Sequence, residues 1–272
     1  MTTLKKSVPG AVNFPVKKVC HDTFITIEDP VVEEVPLTIF LNGQELITIL
    51  CSPGGEPELI TGFLVSEGIL AGPQEISSFN FSEDRNMAWV EAKTVSPSAD
   101  KLYLKRCLTA CCGKGRVGFY YAGDARLQQY NDNQLTLTLE EIQLYQEELD
   151  QKSVTFHATG GVHSGALGIG GALVCFREDI GRHNVFDRIY GYCLTNAVPT
   201  EDKALIFSGR VSSEIVLKLA KMRISILIAR SAPTSLALGL AEELGITVVG
   251  FARGNRMNLY THPQRVLCPG CD

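Results

Sequence analysis

Residues 204–249 decide the fold class of this chain, and they read ALIFSGRVSSEIVLKLAKMRISILIARSAPTSLALGLAEELGITVV. Short apolar runs alternate here with longer segments whose apolar residues recur at helical spacing. The runs predict strands and the longer segments predict helices. The predicted strands are Ala204–Phe207, Ile224–Ala229 and Thr247–Val249, and the predicted helices are Glu214–Met222 and Leu236–Leu244. Strands that alternate with such helices predict an α/β fold, with a mostly parallel sheet and helices on both faces.

The same alternation of strands and helices extends toward the N-terminus, and an α+β pattern precedes it. Ala172–Phe176 predicts a strand, and Gly181–Thr195 predicts a helix. Thr138 and Glu141 have the spacing of a capping box and predict the start of another helix. These elements belong to a predicted C-terminal α/β cofactor-binding domain, residues 131–272, and a smaller N-terminal α+β region is expected over residues 20–130.

The N-terminal region has a strong hairpin signal. Asn42-Gly43 separates two apolar runs, Pro36–Leu41 and Glu45–Leu50, and this dipeptide favours a tight turn between strands. The other predicted elements are an extended arm over residues 1–19, strands at Thr23–Ile27, Met87–Ala92 and Leu102–Leu104, and a helix that begins near Pro57 and ends before Gly68.

Composition excludes some classes of function. The formal net charge is −5, so no overall basic surface is expected to bind nucleic acid. There is no run of 18 apolar residues, and the N-terminus lacks the apolar stretch of a signal peptide. We therefore expect a cytoplasmic protein that binds neither membrane nor nucleic acid.

A cluster of cysteines carries the first candidate chemistry. The chain has nine cysteines, and three of them, Cys107, Cys111 and Cys112, lie close together in the segment RCLTACCGKGR that begins at Arg106. The surrounding lysines and arginines stabilise a thiolate, which is the nucleophilic form of cysteine. This loop is therefore suited to attack a persulfide and hold the transferred sulfur. The competing interpretation is a turn of buried structural cysteines with solvated lysines.

Polar segments at the predicted junctions between strands and helices carry the second candidate chemistry. In open α/β sheets, ligands bind where the parallel strands end, and helix starts there offer N–H groups to anions. Each junction alone is also explained by helix capping and ion pairs. Together they favour a phosphate-rich ligand, and the candidate binding residues are His163, Arg182, His183, Ser208, Arg210, Phe251, Ala252, Arg253, Gly254, Asn255 and Arg256.

Within the last of these segments, Arg253 and Arg256 could clamp a pyrophosphate or a guanine base, because a guanidinium is planar and rich in donors. His157 and His163 could instead be zinc ligands, although they are more simply explained as polar residues beside a pocket. No metal ligand is assigned.

These residues resemble a known family. Between residues 33 and 266 the chain is similar, in order, to the formate dehydrogenase accessory sulfurtransferases, the FdhD family. The resemblance rests on Glu34–Ile39 with Asn42-Gly43, Gly62–Gly68, His157–Ser164, Arg177–Asn184, Ser208–Ser213, Ser231–Ser235, Gly250–Arg253 and Tyr260–Pro263.

The resemblance implies a sulfur relay. A cysteine desulfurase loads a persulfide onto a loop cysteine, and the sulfur passes to the molybdenum of the bis(molybdopterin guanine dinucleotide) cofactor for the formate dehydrogenase catalytic subunit. It also implies a fold similar to cytidine deaminases, a homodimer, and a guanine-nucleotide site at Phe251–Arg256 that should bind GDP as an analogue.

The loop departs from the family pattern. Many members carry Cys-Gly-x-Cys-Gly, whereas this chain has Cys111-Cys112-Gly113-Lys114-Gly115. Cys112 is the first choice for the persulfide carrier because it precedes the glycine, and Cys111 is the second.

Two other functions stay open. A non-catalytic chaperone would bind the molybdenum cofactor without carrying sulfur. A zinc-dependent deaminase would need a His-x-Glu signature, which this sequence lacks. The terminal pair Cys268 and Cys271 could form half a zinc site or a redox pair.

Overall fold

The computed structural model describes residues 8–96 and 135–268, together with the backbone of residues 107–108. These residues form two larger sheets, one of five strands and one of six, and two small two-stranded sheets. Each larger sheet is built from strands of only one of the two predicted regions, whose boundary near residue 130 lies outside the described residues and stays a prediction.

Among the described residues, the N-terminal region contains a five-stranded sheet and one α-helix, preceded by a separate two-stranded ribbon. The five strands lie in the order β5-β6-β3-β4-β7. The described elements are β1 (Ala11–Cys20), β2 (Thr23–Val32), β3 (Val35–Leu41), β4 (Gln44–Cys51), α1 (Glu56–Ser66), β5 (Ile76–Ser82), β6 (Met87–Ala92) and β7 (Cys107–Leu108).

The predicted hairpin is confirmed. Asn42 and Gly43 join β3 to β4 with φ angles of 49° and 76°, the left-handed backbone that this turn requires at both positions. The predicted arm over residues 1–19 is extended from Ala11 onward, but it is also paired, because β1 forms an antiparallel ribbon with β2. The predicted strand Leu102–Leu104 lies outside the described residues.

The C-terminal region contains the six-stranded sheet. Its described elements are β8 (Leu137–Thr138), α2 (Leu139–Lys152), α3 (Val154–Thr159), β9 (His163–Ile169), β10 (Ala172–Asp179), α4 (Arg182–Thr195), β11 (Ala204–Phe207), α5 (Ser213–Lys221), β12 (Ile226–Ala229), α6 (Ser235–Leu244), β13 (Thr247–Arg253), β14 (Arg256–Thr261) and β15 (Val266–Leu267). The capping box is confirmed, since the Thr138 hydroxyl accepts from the Glu141 backbone N–H and the Glu141 carboxylate accepts from the Thr138 N–H.

The α/β class is confirmed, but the parallel part of the sheet is smaller than expected. The strand order is β10-β9-β11-β12-β13-β14, and only β11, β12 and β13 are mutually parallel. The pairs β9–β10, β9–β11 and β13–β14 are antiparallel. The turn glycines Gly170 and Gly254 have φ angles of 58° and 52°. Short connections through these glycines reverse the chain, and the strand that the sequence predicts at Thr247–Val249 extends to Arg253 and is followed by β14.

Helices cover both faces of this sheet, as the sequence predicts. Alternate residues of each strand point to opposite faces. Leu205, Leu227 and Val248 pack in the core under α4, α5 and α6, whereas their neighbours Ile206, Ile228 and Val249 pack under α2. Among the described helices, none is long and apolar enough to cross a membrane.

The two regions are joined where α1 crosses α4 at backbone contact. A Cβ atom added to Gly62 would lie 1.8 Å from the backbone oxygen of Asp187. One added to Gly191 would lie 1.8 Å from the backbone oxygen of Glu58. No side chain fits in either place, so glycine at both positions permits the crossing.

We therefore expect Gly62→Ala to lower the free energy of unfolding by about 3 kcal/mol or more, because the packed backbones must separate to admit a methyl group. Gly239→Ala is the matched control, since Gly239 lies in α6 with open space around it. That change should stabilise the protein by about 1 kcal/mol through helix propensity. Denaturant unfolding of both variants checks this, and equal midpoints would contradict the crossing.

Candidate active site

The polar segments noted in the sequence meet at one edge of the six-stranded sheet. The parallel strands β11, β12 and β13 end at this edge. Strand β9 is antiparallel to β11 and begins at the same edge with His163. Strand β10 is antiparallel to β9 and ends there with Asp179. Strand order and direction therefore bring together segments that are almost one hundred residues apart in sequence.

A cavity of about 560 Å³ opens at this edge. Of the predicted binding residues, His163, Ser208 and Arg253 line it. Arg230 also lines it, although it is not among the predicted site residues. The remaining lining residues are Ser153, Phe156, Gly160, Gly161, Val162, Ser164 and Ile180.

The environment of His163 is cationic. Burial lowers the pKa of this imidazole below its usual 6.5, and the nearby Arg182, His183 and Arg210 lower it further. His163 is therefore neutral at pH 7 and has one nitrogen available as an acceptor. A ligand with several negative charges is favoured in such surroundings.

Two of these neighbours bury a nitrogen that makes no hydrogen bond. The Nε of Arg182 and the Nε2 of His183 are buried and have no hydrogen-bond partner among the described residues, although the His183 Nε2 lies 3.1 Å from a carboxylate oxygen of Glu214. Arg210 is exposed. A buried donor without an acceptor costs stability, and an anionic ligand at this edge could supply the missing acceptor.

Hydrogen bonds between polar groups fix the segments that line the cavity. Ser208 and Ser164 are tied reciprocally, because each backbone N–H donates to the other residue, at 2.9 Å in both cases. Glu178 accepts from the Thr155 and Phe156 backbone N–H groups at 3.3 and 3.2 Å and thereby caps α3. It also accepts from the Ser164 hydroxyl at 3.1 Å.

The predicted clamp at Phe251–Arg256 is the hairpin between β13 and β14, and its side chains point in different directions. Ala252 is fully buried in the core, and Phe251 is 44% exposed with a φ angle of 51°. Asn255 accepts a hydrogen bond from Gln143 at 3.0 Å. Arg253 and Gly254 line a second cavity of about 330 Å³, which also contacts Arg230.

Arg256 is exposed at the start of β14 and lines none of the described cavities. Arg253 and Arg256 lie directly opposite each other in the β13–β14 pairing, and Arg253 is the one that lines a described cavity.

Part of the segment Arg177–Asn184 holds the two regions together. The carboxylate of Asp179 is fully buried and accepts from the Ser52 N–H at 3.2 Å, the Gly181 N–H at 2.8 Å, the Asn184 amide at 2.8 Å and the Arg188 Nε at 2.7 Å. Arg188 in turn donates to the carbonyl oxygens of Ser52, at 2.5 Å, and Gly54.

Arg177 makes a second connection between the regions, because its Nε and Nη2 each donate to a carboxylate oxygen of Glu58 at 2.6 Å. Ion pairs that connect the two regions therefore explain Arg177 and Asp179. In contrast, Arg182 and His183 lie beside the cavity residue His163.

The candidate sulfur carriers Cys111 and Cys112 lie outside the described residues. The strand that precedes them, β7, pairs in parallel with β4, with Leu108 opposite Ile49. Strand β7 therefore runs in the same direction as β4, which ends just before Ser52. The Ser52 hydroxyl accepts from the backbone N–H of Ile180 at 3.1 Å, and Ile180 lines the cavity. Strand β7 thus points to the side of the molecule where the cavity lies.

The buried described cysteines have a different environment. Burial raises the pKa of Cys51 to about 12, of Cys175 to about 11 and of Cys193 to about 12. These thiols stay protonated near neutral pH and are poor nucleophiles.

Known proteins are similar to this chain over most of its length. The family model described as the FdhD/NarQ family matches residues 32–267. The chain belongs to this family. It is 49% identical over 245 residues to the sulfur carrier protein FdhD of Listeria monocytogenes serotype 4b (strain F2365), covering 90% of this chain and 94% of that relative. It is 43% identical over 240 residues to the sulfur carrier protein FdhD of Bacillus subtilis (strain 168), covering 88% and 91%.

A solved structure has the same fold as this FdhD/NarQ family member. It is the crystal structure of a putative formate dehydrogenase accessory protein from Desulfotalea psychrophila, with a TM-score of 0.78 and 24% identity. The match covers 95% of this chain and all of that one.

Arg230 begins one of the polar segments at the predicted junctions, but it was not selected among the predicted site residues. The available signal was its position, because it directly follows the predicted strand Ile224–Ala229 and therefore lies at the edge where parallel strands end. Its Nη1 donates to the Asp150 carboxylate at 2.6 Å, a contact across 80 residues that sequence spacing does not indicate.

We expect Asp179→Asn to lower the free energy of unfolding by about 3–5 kcal/mol, because the change leaves the buried Arg188 without its carboxylate. Asp202→Asn is the control, since the Asp202 carboxylate that pairs with Lys203 is 52% exposed. That change should cost about 1 kcal/mol or less. Denaturant unfolding of the wild-type protein and both variants measures the free energies of unfolding. A small loss for Asp179→Asn would show that the Asp179–Arg188 pair does not hold the regions together.

Proposed function

We propose that this chain is a sulfur carrier for formate dehydrogenase, a sulfurtransferase with a persulfide on Cys112 or Cys111. It takes sulfur from a cysteine desulfurase and passes it to the molybdenum of the bis(molybdopterin guanine dinucleotide) cofactor, in the cytoplasm. The observation that carries the proposal is the cationic cavity at the sheet edge toward which β7 runs, because β7 directly precedes the candidate carriers in sequence. Membership of the FdhD/NarQ family, and relatives named as sulfur carriers, support it.

The first chemical step is thiol exchange at sulfur. The loop thiolate attacks the outer sulfur of the desulfurase persulfide, the existing S–S bond breaks, and the desulfurase cysteine leaves as a thiolate. The four basic residues around the loop, Lys105, Arg106, Lys114 and Arg116, favour the thiolate form. In the second step the terminal sulfur goes to the metal and the loop thiolate is regenerated. A reduced molybdenum centre supplies the two electrons that convert this sulfur to a sulfido ligand.

The described residues offer a site for the nucleotide part of this cofactor substrate. Arg230 and Arg253 present guanidinium groups to the cavity, and such groups match phosphate oxygens well. The Ser208 hydroxyl can donate while it accepts from Ser164, and neutral His163 can accept or donate. A volume of about 560 Å³ is within the range of small-molecule pockets. One guanine nucleotide arm is the ligand that we assign to it.

We expect GDP to bind this protein and Arg253→Ala to weaken the binding by about 1.5–3 kcal/mol, that is, about 10- to 150-fold, because a charge-assisted hydrogen bond is lost. Arg256→Ala is the matched control, because Arg256 is on the same hairpin but does not line the cavity. Titration calorimetry of GDP into the three proteins measures this. Equal affinities for the wild type and Arg253→Ala, or a larger loss for Arg256→Ala, would place the nucleotide outside the cavity.

We expect the loop cysteines to be required for sulfur loading. Wild-type protein incubated with a desulfurase and cysteine should gain the mass of one sulfur atom, whereas the Cys111→Ala/Cys112→Ala variant should gain none. Cys20→Ala is the control for a free, partly buried cysteine outside the loop and should load normally. Intact-mass spectrometry reads out loading, and the single variants decide which cysteine carries the sulfur.

The same variants separate the alternatives. A double variant that loads no sulfur, binds GDP and still supports full formate dehydrogenase activity would establish the chaperone function and rule out the carrier. Stoichiometric zinc in the purified protein, with activity that depends on it, would favour the deaminase.

A further inference from the structure

The imidazole of His163 lines the cavity and is held there by packing. Its ring centroid lies 6.1 Å from that of Phe207, and a Cβ atom at Gly209 would lie 3.2 Å from its Nδ1. Among the described residues, no side chain or backbone group forms a hydrogen bond with either ring nitrogen. The ring is therefore fixed in place while a ring nitrogen stays available to a ligand in the cavity.

The charged groups closest to His163 are basic. They come from several elements: Arg182 and His183 from the start of α4, Arg210 from the link before α5, and, lining the same cavity, Arg230 after β12 and Arg253 at the end of β13. Like charges at short range disfavour a protonated imidazole. These basic groups, together with burial, therefore keep His163 neutral in the free protein.

The carboxylates on the surrounding elements bond other groups. Glu178 of β10 caps α3, and Asp179, directly opposite His163 in the strand pairing, accepts from the donors of the buried network. Asp150 of α2 pairs with an arginine that lines the cavity, and Glu214 of α5 lies beside the α4 histidine. Among the described residues, none of these carboxylates forms a hydrogen bond with His163, so the imidazole has no anionic partner there.

A bound diphosphate would reverse the sign of the charge next to this imidazole. Each phosphate of a nucleotide diphosphate is negative, and an opposite charge within about 4–6 Å favours the protonated ring. An imidazolium donates from both nitrogens, and its charge-assisted bond to a phosphate oxygen is roughly twice as strong as a neutral one. Removal of water by the ligand opposes protonation. That change is the smaller one, because the ring of His163 is already partly buried before a ligand binds.

We propose that His163 takes up a proton from solvent when the diphosphate of the ligand enters the cavity, and returns it to solvent when the ligand leaves. An imidazolium then contacts the bound phosphate, whereas the free protein holds a neutral imidazole at pH 7. The inference rests on the proposed assignment of the cavity to a nucleotide arm. It adds a means of selection, since a ligand without phosphate charge does not recruit the proton and loses this contact.

The affinity for a diphosphate should therefore fall as the pH rises. The pKa of His163 lies below its usual 6.5 in the free protein and is higher in the complex, so proton uptake occurs between the two values. Above the pKa of the complex neither state binds the proton, and below the pKa of the free protein both do, so the affinity is constant outside this window. We expect binding to be about fivefold tighter at pH 6.5 than at pH 8.

The test is calorimetric titration of GDP-mannose into the full chain at pH 6.5, in MES and in bis-Tris. The diphosphate of this probe is a diester, so it lacks the phosphate ionisation near pH 6 that a phosphate monoester has. The difference in heat between buffers of different ionisation enthalpy gives the protons taken up, and we expect about half a proton for each ligand bound. The titration at pH 8 gives the change in affinity.

His163→Gln keeps a hydrogen-bonding side chain that does not titrate. This variant should take up no proton and should bind with the same affinity at pH 6.5 and pH 8. His21→Gln is the matched control, because His21 is exposed in the turn between β1 and β2, and it should behave like the wild type. Circular dichroism shows that each variant is folded.

Binding of GDP-mannose to the wild type without proton uptake overturns the proposal and leaves the nucleotide assignment intact. Proton uptake that persists in folded His163→Gln overturns it as well, because another group then binds the proton. If GDP binds and GDP-mannose does not, the difference in proton uptake between the wild type and His163→Gln with GDP decides, since GDP itself titrates equally in both. A wild type that binds neither nucleotide overturns this proposal together with the nucleotide assignment.

Discussion

The buried ion pair between Asp179 and Arg188 is the interaction on which the arrangement of the two regions depends. A carboxylate that is fully excluded from water must be paired and hydrogen-bonded, and here four donors satisfy it. Three of the donors come from the β10–α4 link and from α4, namely Gly181, Asn184 and Arg188, whereas Ser52 comes from the link between β4 and α1. The N-terminal sheet is therefore fixed relative to the C-terminal one at the sheet edge that carries the cavity.

A second buried network fixes the other end of α1. Lys218 of α5 donates to Asp187 of α4 and, at 2.9 Å, to the Ser66 hydroxyl at the end of α1. Ser66 also donates to Asp187 at 2.6 Å. Between the two networks the helices touch at their glycines. Because α1 follows directly after β4, and β7 pairs with β4, these contacts set the position of the strand that leads into the cysteine segment.

The sequence predicted most elements but not how they are arranged. Ala204–Phe207 and Met87–Ala92 were predicted with the bounds that the structure has, since buried apolar runs and turn dipeptides are local signals. Strand β9 is absent from the predicted elements because glycine is a poor strand former, yet Gly165 and Gly168 leave room for Val185 and Tyr145. The position of Arg188 inside a helix does not indicate its carboxylate partner. Such pairings depend on strand order, which local patterns do not contain.

The buried cysteines have a consequence for a protein that carries sulfur as proposed. A persulfide transfers its outer sulfur to any accessible thiolate. In a carrier with several thiols, the sulfur can therefore pass to another cysteine of the same chain. Cys51, Cys175 and Cys193 are nearly inaccessible and protonated at neutral pH, so they compete poorly for that sulfur. Burial of these thiols in the hydrophobic core would in this way protect the carried sulfur, because the buried cysteines are not accessible to accept it.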